Sequence, residues 1–149
     1  NLARAPQGGD RDQLRALAAG ECDIAVSNTY YWGGMLSGAN EADRAIAESI
    51  AFFYPNQDDR GAHVNISGAG VVATAPNRDN AIRFLEFLVS DEAQQVLADS
   101  NNEFPIVPGV TIHGPISAFT EFRNSGTNVS VYGTNSALAT EIFDRVGFP

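Results

Sequence analysis

Cysteine occurs once in these 149 residues, as Cys22, so neither an internal disulfide framework nor a cysteine-based metal cluster can form. Methionine and tryptophan also occur once each, which removes any patterned site built on them. No apolar run approaches the roughly 18 residues that a membrane-spanning helix needs, so direct membrane insertion is not expected. Basic residues are few: nine Lys plus Arg against eighteen Asp plus Glu leave a net charge of -9. Nothing basic is clustered enough to meet a phosphate backbone, which argues against nucleic acid. The acidic surface tolerates cations without selecting one, and its first effect is solubility. The start, Asn1 to Arg4, carries neither an initiator Met nor a signal-peptide pattern and reads as a processed chain or a fragment. What remains is an ordinary globular composition, 44% hydrophobic and 18% charged, long enough for one domain with a core.

Helix signals are the clearest local feature. Asp10 to Ala19 reads as a helix with its N-cap at Asp10 and a stop at Gly20, and Asp10 and Asp12 suit the positive end of its dipole. A short helix is expected after Tyr30, and a further one over Glu41 to Ser49 behind an Asn40 cap. Arg78 to Val89 repeats Ala81, Ile82, Leu85 and Leu88 at helical spacing. Asp91 to Ala98 follows behind a Ser90 cap, and Ser136 to Val146 places Leu138, Ile142 and Val146 on one face. Strand candidates are Ile24 to Val26 (buried), Ala51 to Tyr54 before Pro55, and the long Val-rich stretch His63 to Ala75. Asn56 to Gly61 is a polar turn. Strands and helices mixed without strict alternation give an α/β class.

The residues that carry chemistry lie between Cys22 and Gly34. An apolar strand runs into Asn28 and Thr29, and two consecutive phenols, Tyr30 and Tyr31, emerge where the backbone must turn. Hard oxygen donors suit hard cations, and phenolate is a ligand of ferric iron. Neighbours on a strand point to opposite faces, so both rings can reach one metal only if strand geometry ends at Thr29-Tyr30. A phenol ionises near pH 10, so the metal's own charge would have to deprotonate it. Taken alone, Tyr30, Tyr31 and Trp32 also fit plain aromatic packing, and Asn28 fits a turn residue bonded to its own backbone. Trp32, Tyr54 and Tyr132 read as packing residues.

Together with Arg4 to Gln13, Gly20 to Tyr31, His63 to Val71 and Ala81 to Gln94, this segment resembles a bacterial periplasmic ferric-iron-binding protein. The resemblance implies a periplasmic-binding-protein type II-like fold, a two-lobed clamp with a hinge-crossing strand, of which this chain matches the C-terminal half. Residues 1–62 would carry the tyrosine pair, 63–75 would cross the hinge, 76–108 would pack on the other lobe and 109–149 would return. The family is non-enzymatic: it captures Fe(III) in the periplasm and delivers it to the permease of an ABC-type importer. By the same resemblance Tyr30 and Tyr31 are iron ligands and Asn28 contacts a synergistic anion, such as carbonate. Another anion contact would fall near Asp10, where an acid would repel phosphate. The ligands of the N-terminal lobe have no counterpart here, so a partner lobe is expected: a separate chain, a boundary, or a swapped copy.

Other signals lead elsewhere or nowhere. Gly68 to Ala73 mimics a dinucleotide fingerprint but leads into strand, and its small residues read as close packing at a hinge. Asp10, Asp12 and Glu21 match three positions of a calcium loop, but Leu14 and Arg15 occupy the places of a ligand and the turn glycine. His63 and His113 lack zinc spacing. Asn65 and Asn128 begin glycosylation sequons that a bacterial export route would leave unused. Two alternatives stay open: a solute-binding protein for an oxyanion or organic cation, and an α/β enzyme domain using His63 or His113 with a carboxylate.

Overall fold

A computed structural model describes Leu2 and residues 4–148; Asn1 and Ala3, which fall in the expected 1–62 portion, and Pro149 lie outside the described residues. Helix α1 spans Asp10–Ala18. Its N-cap is Gly9 rather than Asp10, because Asp12 Oδ2 takes the Gly9 N–H at 2.9 Å while Asp10 turns elsewhere. That bond, with help from Arg15, holds the Asp12 carboxyl below its ordinary pKa. The helix stops at Gly20, at φ +77, where the Gly20 and Glu21 N–H groups donate back to Leu17 and Ala16. A left-handed turn of this kind strains any residue with a Cβ.

Helix α2 spans Thr29–Ser37 and α3 spans Glu41–Ser49. Asn40 caps α3 as expected, its Oδ1 accepting from the N–H groups of Ala42 and Asp43. The three helices bury Leu14, Met35 and Ala47 against one another, with Trp32, Leu36, Ile46 and Ile50 packed around them. Trp32 Nε1–H donates to the Ala47 carbonyl at 3.1 Å, which satisfies the indole's one polar atom. Arg15 reaches across from α1 to grip both oxygens of Asp43 on α3 at 2.9 Å. From Trp32 a row of aromatic rings continues through Phe52, Phe119, Tyr54 and Phe122, with centroids 4.1 to 5.3 Å apart.

Gly33 matters by what it lacks. A Cβ there would stand 2.8 Å from Ile116 Cγ2 and 3.0 Å from Asn102 Cβ. Only glycine lets the 3₁₀ turn Pro115–Phe119 and the end of the later helix pair close on α2. That pair is α4 (Arg78–Leu88) and α5 (Asp91–Asn101), the second capped by Ser90 as expected and running three residues beyond Ala98. Buried Gln94 ties it together, donating to the Leu88 carbonyl and accepting the Ile106 N–H.

Several expectations need correction. Helix α6 spans Ser130–Val146, six residues longer at its start than the sequence pattern indicates. Asn128 Oδ1 takes the Ser130 N–H at 3.0 Å and starts the helix inside a run of Ser, Gly, Thr and Asn that otherwise reads as loop. Its apolar face is exposed. Ile24 and Val26, expected in a buried strand, are 68% and 90% exposed. Ala51 to Tyr54 and His63 to Ala75 are extended as well, but among the described residues the one β-bridge joins Ala62 to Asn124. Gly68 and Gly70 have open space around them, so they are not points of close packing within this chain. A strand needs a neighbour to accept its N–H and C=O groups, and pattern alone cannot supply one.

Met35→Ala should lower the unfolding free energy of the chain by about 2–4 kcal/mol in urea melts, as for other buried large-to-small changes. Ile24→Ser and Val26→Ser should each change it by less than about 0.5 kcal/mol, since both side chains already face solvent.

Candidate metal centre

Strand geometry ends where the two phenols require it to. Asn28 is still extended (φ -71, ψ 144), Thr29 begins α2, and the Tyr31 N–H bonds back to the Asn28 carbonyl at 3.2 Å. In this first turn, consecutive side chains are separated by about 100° rather than 180°, so the rings of Tyr30 and Tyr31 lie side by side. Their centroids are 4.4 Å apart at an interplanar angle of 40°. Both are only partly buried. An open concavity of about 440 Å³, lined by Arg4, Asp12, Arg15 and Glu21 among others, includes neither.

The surroundings disfavour ionisation of Tyr30. Hydrogen bonding with Tyr31 is the largest cause raising the Tyr30 pKa, followed by burial and by the negative charges of Tyr31, Asp10 and Glu103. Two adjacent phenolates repel each other, and a cation between them would reverse that cost. On the far side the Arg11 guanidinium lies over the Tyr31 ring, 5.6 Å from its centroid.

Asn28 is occupied. Its side chain does not cap α2. Its N–H and its Nδ2 both donate to Asp10 Oδ2, at 2.8 and 3.3 Å, and the Ser27 hydroxyl adds a third bond at 3.3 Å. Glu103 stands near Tyr30 without any sequence signal. It follows Asn102, a left-handed residue (φ 57) that packs on Gly33, and it accepts a 3.4 Å hydrogen bond from Ser67 in the extended 63–75 stretch. No spacing rule relates position 103 to position 30. The histidines are placed elsewhere: His63 lies against the Tyr132 ring, and exposed His113 pairs with Asp99 at 2.9 Å beside Gln95. Among the described residues no three His, Cys, Asp or Glu side chains group together to hold a metal.

Residues 4–95 match the family model for bacterial extracellular solute-binding proteins. The chain belongs to that family. Iron uptake protein A1 of Synechocystis is 46% identical over 148 residues, covering 99% of this chain and 41% of the relative. Two solved structures cover all of this chain and 47% of their own: Trichodesmium IdiA (FutA) in complex with iron and citrate ligands, 48% identical with a TM-score of 0.91, and the ferric binding protein of Campylobacter jejuni, 43% identical with a TM-score of 0.95. This solute-binding protein chain therefore spans about half the length of the relatives it matches. Its fold is half of a periplasmic-binding-protein type II clamp. Among the described residues no helix is long and apolar enough to cross a membrane.

Tyrosine absorbance should report this environment during alkaline titration. Burial pushes the Tyr54 phenol up to about 12, and its hydroxyl donates to the Phe119 carbonyl. Tyr54 should therefore ionise last, and Tyr31→Phe should bring the Tyr30 pKa down. Because the folded pKa of Tyr54 lies above the free value of about 10, its stabilising effect is intact below that pH and is lost as pH rises through about 12. Tyr54→Phe should remove that alkaline loss.

Proposed function

We propose that this chain is the C-terminal half of the ferric-iron-binding component of an ABC-type importer, working in the periplasm by capture and hand-over without catalysis. The observation that carries the reading is the tyrosine pair in the first turn of α2: two partly exposed phenols, 4.4 Å apart, in acidic surroundings. Tyr30 and Tyr31 would bind Fe(III) as phenolates. Ferric iron favours hard, anionic oxygen donors, and its charge displaces the phenolic protons, so binding releases protons and acid releases iron. The names of the relatives, which include iron uptake and ferric binding proteins, support the same cargo. The oxyanion alternative is less favoured, because the Ser27 hydroxyl and the Asn28 amide beside α2 already serve Asp10.

The packing supports the expected partition into portions. Helices α1, α2 and α3 form one unit with the 3₁₀ turn, α4 pairs with α5, and residues 63–75 run extended between them. An N-terminal lobe would supply the remaining iron ligands and pair with the extended stretches. Exposed apolar side chains on those stretches, including Val26, Phe53 and Val72 at 67% to 90% exposure, favour such a partner. Burying each would contribute about 1.5–3 kcal/mol. Hand-over to the membrane permease would follow opening of the clamp.

A two-lobed protein containing this chain should develop a visible phenolate-to-iron charge-transfer band when given a soluble ferric chelate. Tyr30→Phe and Tyr31→Phe should each weaken binding by more than about 100-fold, beyond the 10–100-fold typical of losing an outer-shell partner. The band should fade as pH falls. If no band forms, and both variants bind as the parent does, the reading is wrong. For the chain on its own, light scattering should show self-association; a stable, compact monomer of 15.9 kDa would count against the need for a partner lobe.

A further inference from the structure

Resting on the tyrosine reading, we infer that Glu103 is the positioning residue that couples the hinge stretch to the ferric site: one carboxylate tethers Ser67 and bears on Tyr30. Its backbone is held on both sides. Asn102, buried and left-handed at φ 57, packs on Gly33, where an added Cβ would stand 3.0 Å from the Asn102 Cβ. Phe104 lies against the Phe122 ring, with centroids 5.7 Å apart. Glu103 is thereby fixed between two anchored neighbours. Gly33 follows Tyr30 by three residues, so the two share a face of α2. Docking Asn102 on that face brings the charge of Glu103 within reach of the Tyr30 phenol.

The carboxylate also meets the extended 63–75 stretch. That stretch is held firmly at its start. Ala62 donates to the Arg123 carbonyl and accepts the Ser125 N–H, both at 2.8 Å, and the Tyr132 hydroxyl donates to the Val64 carbonyl at 3.0 Å. Beyond this anchor residues 65–70 are exposed, and Gly68 and Gly70 have open space around them. Among the described residues, the bond from the Ser67 hydroxyl to Glu103 Oε2, at 3.4 Å, is the one hydrogen bond that joins residues 65–71 to the rest of the chain. A bond this long and exposed is weak, which suits a tether that must let go when a clamp opens. Glu103 thus carries hinge position to the iron site without touching the metal.

The test uses the iron-loaded two-lobed protein and its Ser67→Ala, Glu103→Gln and Glu103→Ala variants, with the Ser67→Ala, Glu103→Ala double variant. Thermal melts establish that each is folded. Loss of the charge-transfer band is followed after rapid mixing with excess EDTA. Ser67→Ala and Glu103→Ala should each speed release at least about threefold, and the double variant should release no faster than Glu103→Ala, because both changes remove one contact. Glu103→Gln keeps an acceptor for Ser67 and should release within about twofold of the parent. The band position supplies a readout that mere support of the fold would not move. A negative charge near a phenolate eases loss of its electron to iron, so Glu103→Gln and Glu103→Ala should both move the band to shorter wavelength. Additive rates, unchanged rates, or a band that stays in place in Glu103→Gln each overturn the inference. A parent with no band sinks the tyrosine reading with it, whereas a parent band accompanied by any of those results sinks this inference alone.

Discussion

Much of the molecule hangs on the bare backbone at Gly33. Because nothing projects from that turn of α2, Ile116 sits against the helix almost wholly buried and Asn102 closes over it from the end of α5. One turn thereby joins segments separated by some seventy to eighty residues of chain. The consequence reaches the proposed ferric site, since seating Asn102 there brings the charge of the next residue, Glu103, within reach of Tyr30. The neighbour of Gly33 on its other side, Trp32, faces the core and starts the aromatic row. A single helix therefore presents its paired phenols, its anchor and its docking gap within four consecutive residues.

Charge is arranged around the same helix. Arg15 holds α1 against α3 through Asp43, and Asp10, the first residue of α1, holds the turn that presents the tyrosines. Tyr31 in turn raises the resistance of Tyr30 to ionisation, which a bound cation would overcome. In the proposed function, capture and acid release would follow from the same pair of groups.

Local signals were read well where the chain makes its own partners. Asn40 and Ser90 cap helices because each side-chain oxygen finds N–H groups two or three residues ahead, a bond that sequence spacing already describes. Gly20 stops α1 for an equally local reason. The break at Thr29 was legible because two phenols could share a metal only off a strand. Strands were less legible: Ile24 to Val26 has the right residues, but its burial depends on a neighbour that the chain does not provide. Asn128 starting α6 within a polar run was missed because a cap and a loop use the same residue types.

The amino-acid sequence by itself determined most of the helices, two of their caps, the paired phenols and the resemblance to ferric-iron-binding proteins, because each depends on residues adjacent along the chain or on the order of its segments. Tertiary structure alone decided that Asn28 is bound to Asp10, that Glu103 stands by Tyr30, and that His113 belongs to Asp99 instead of the tyrosines. Those pairings join positions 14 to 73 residues apart, and no periodicity records them. They arise because packing at Gly33 and in the α1–α3 core brings particular backbones within reach, and hydrogen bonds and charges then form between whatever groups meet there.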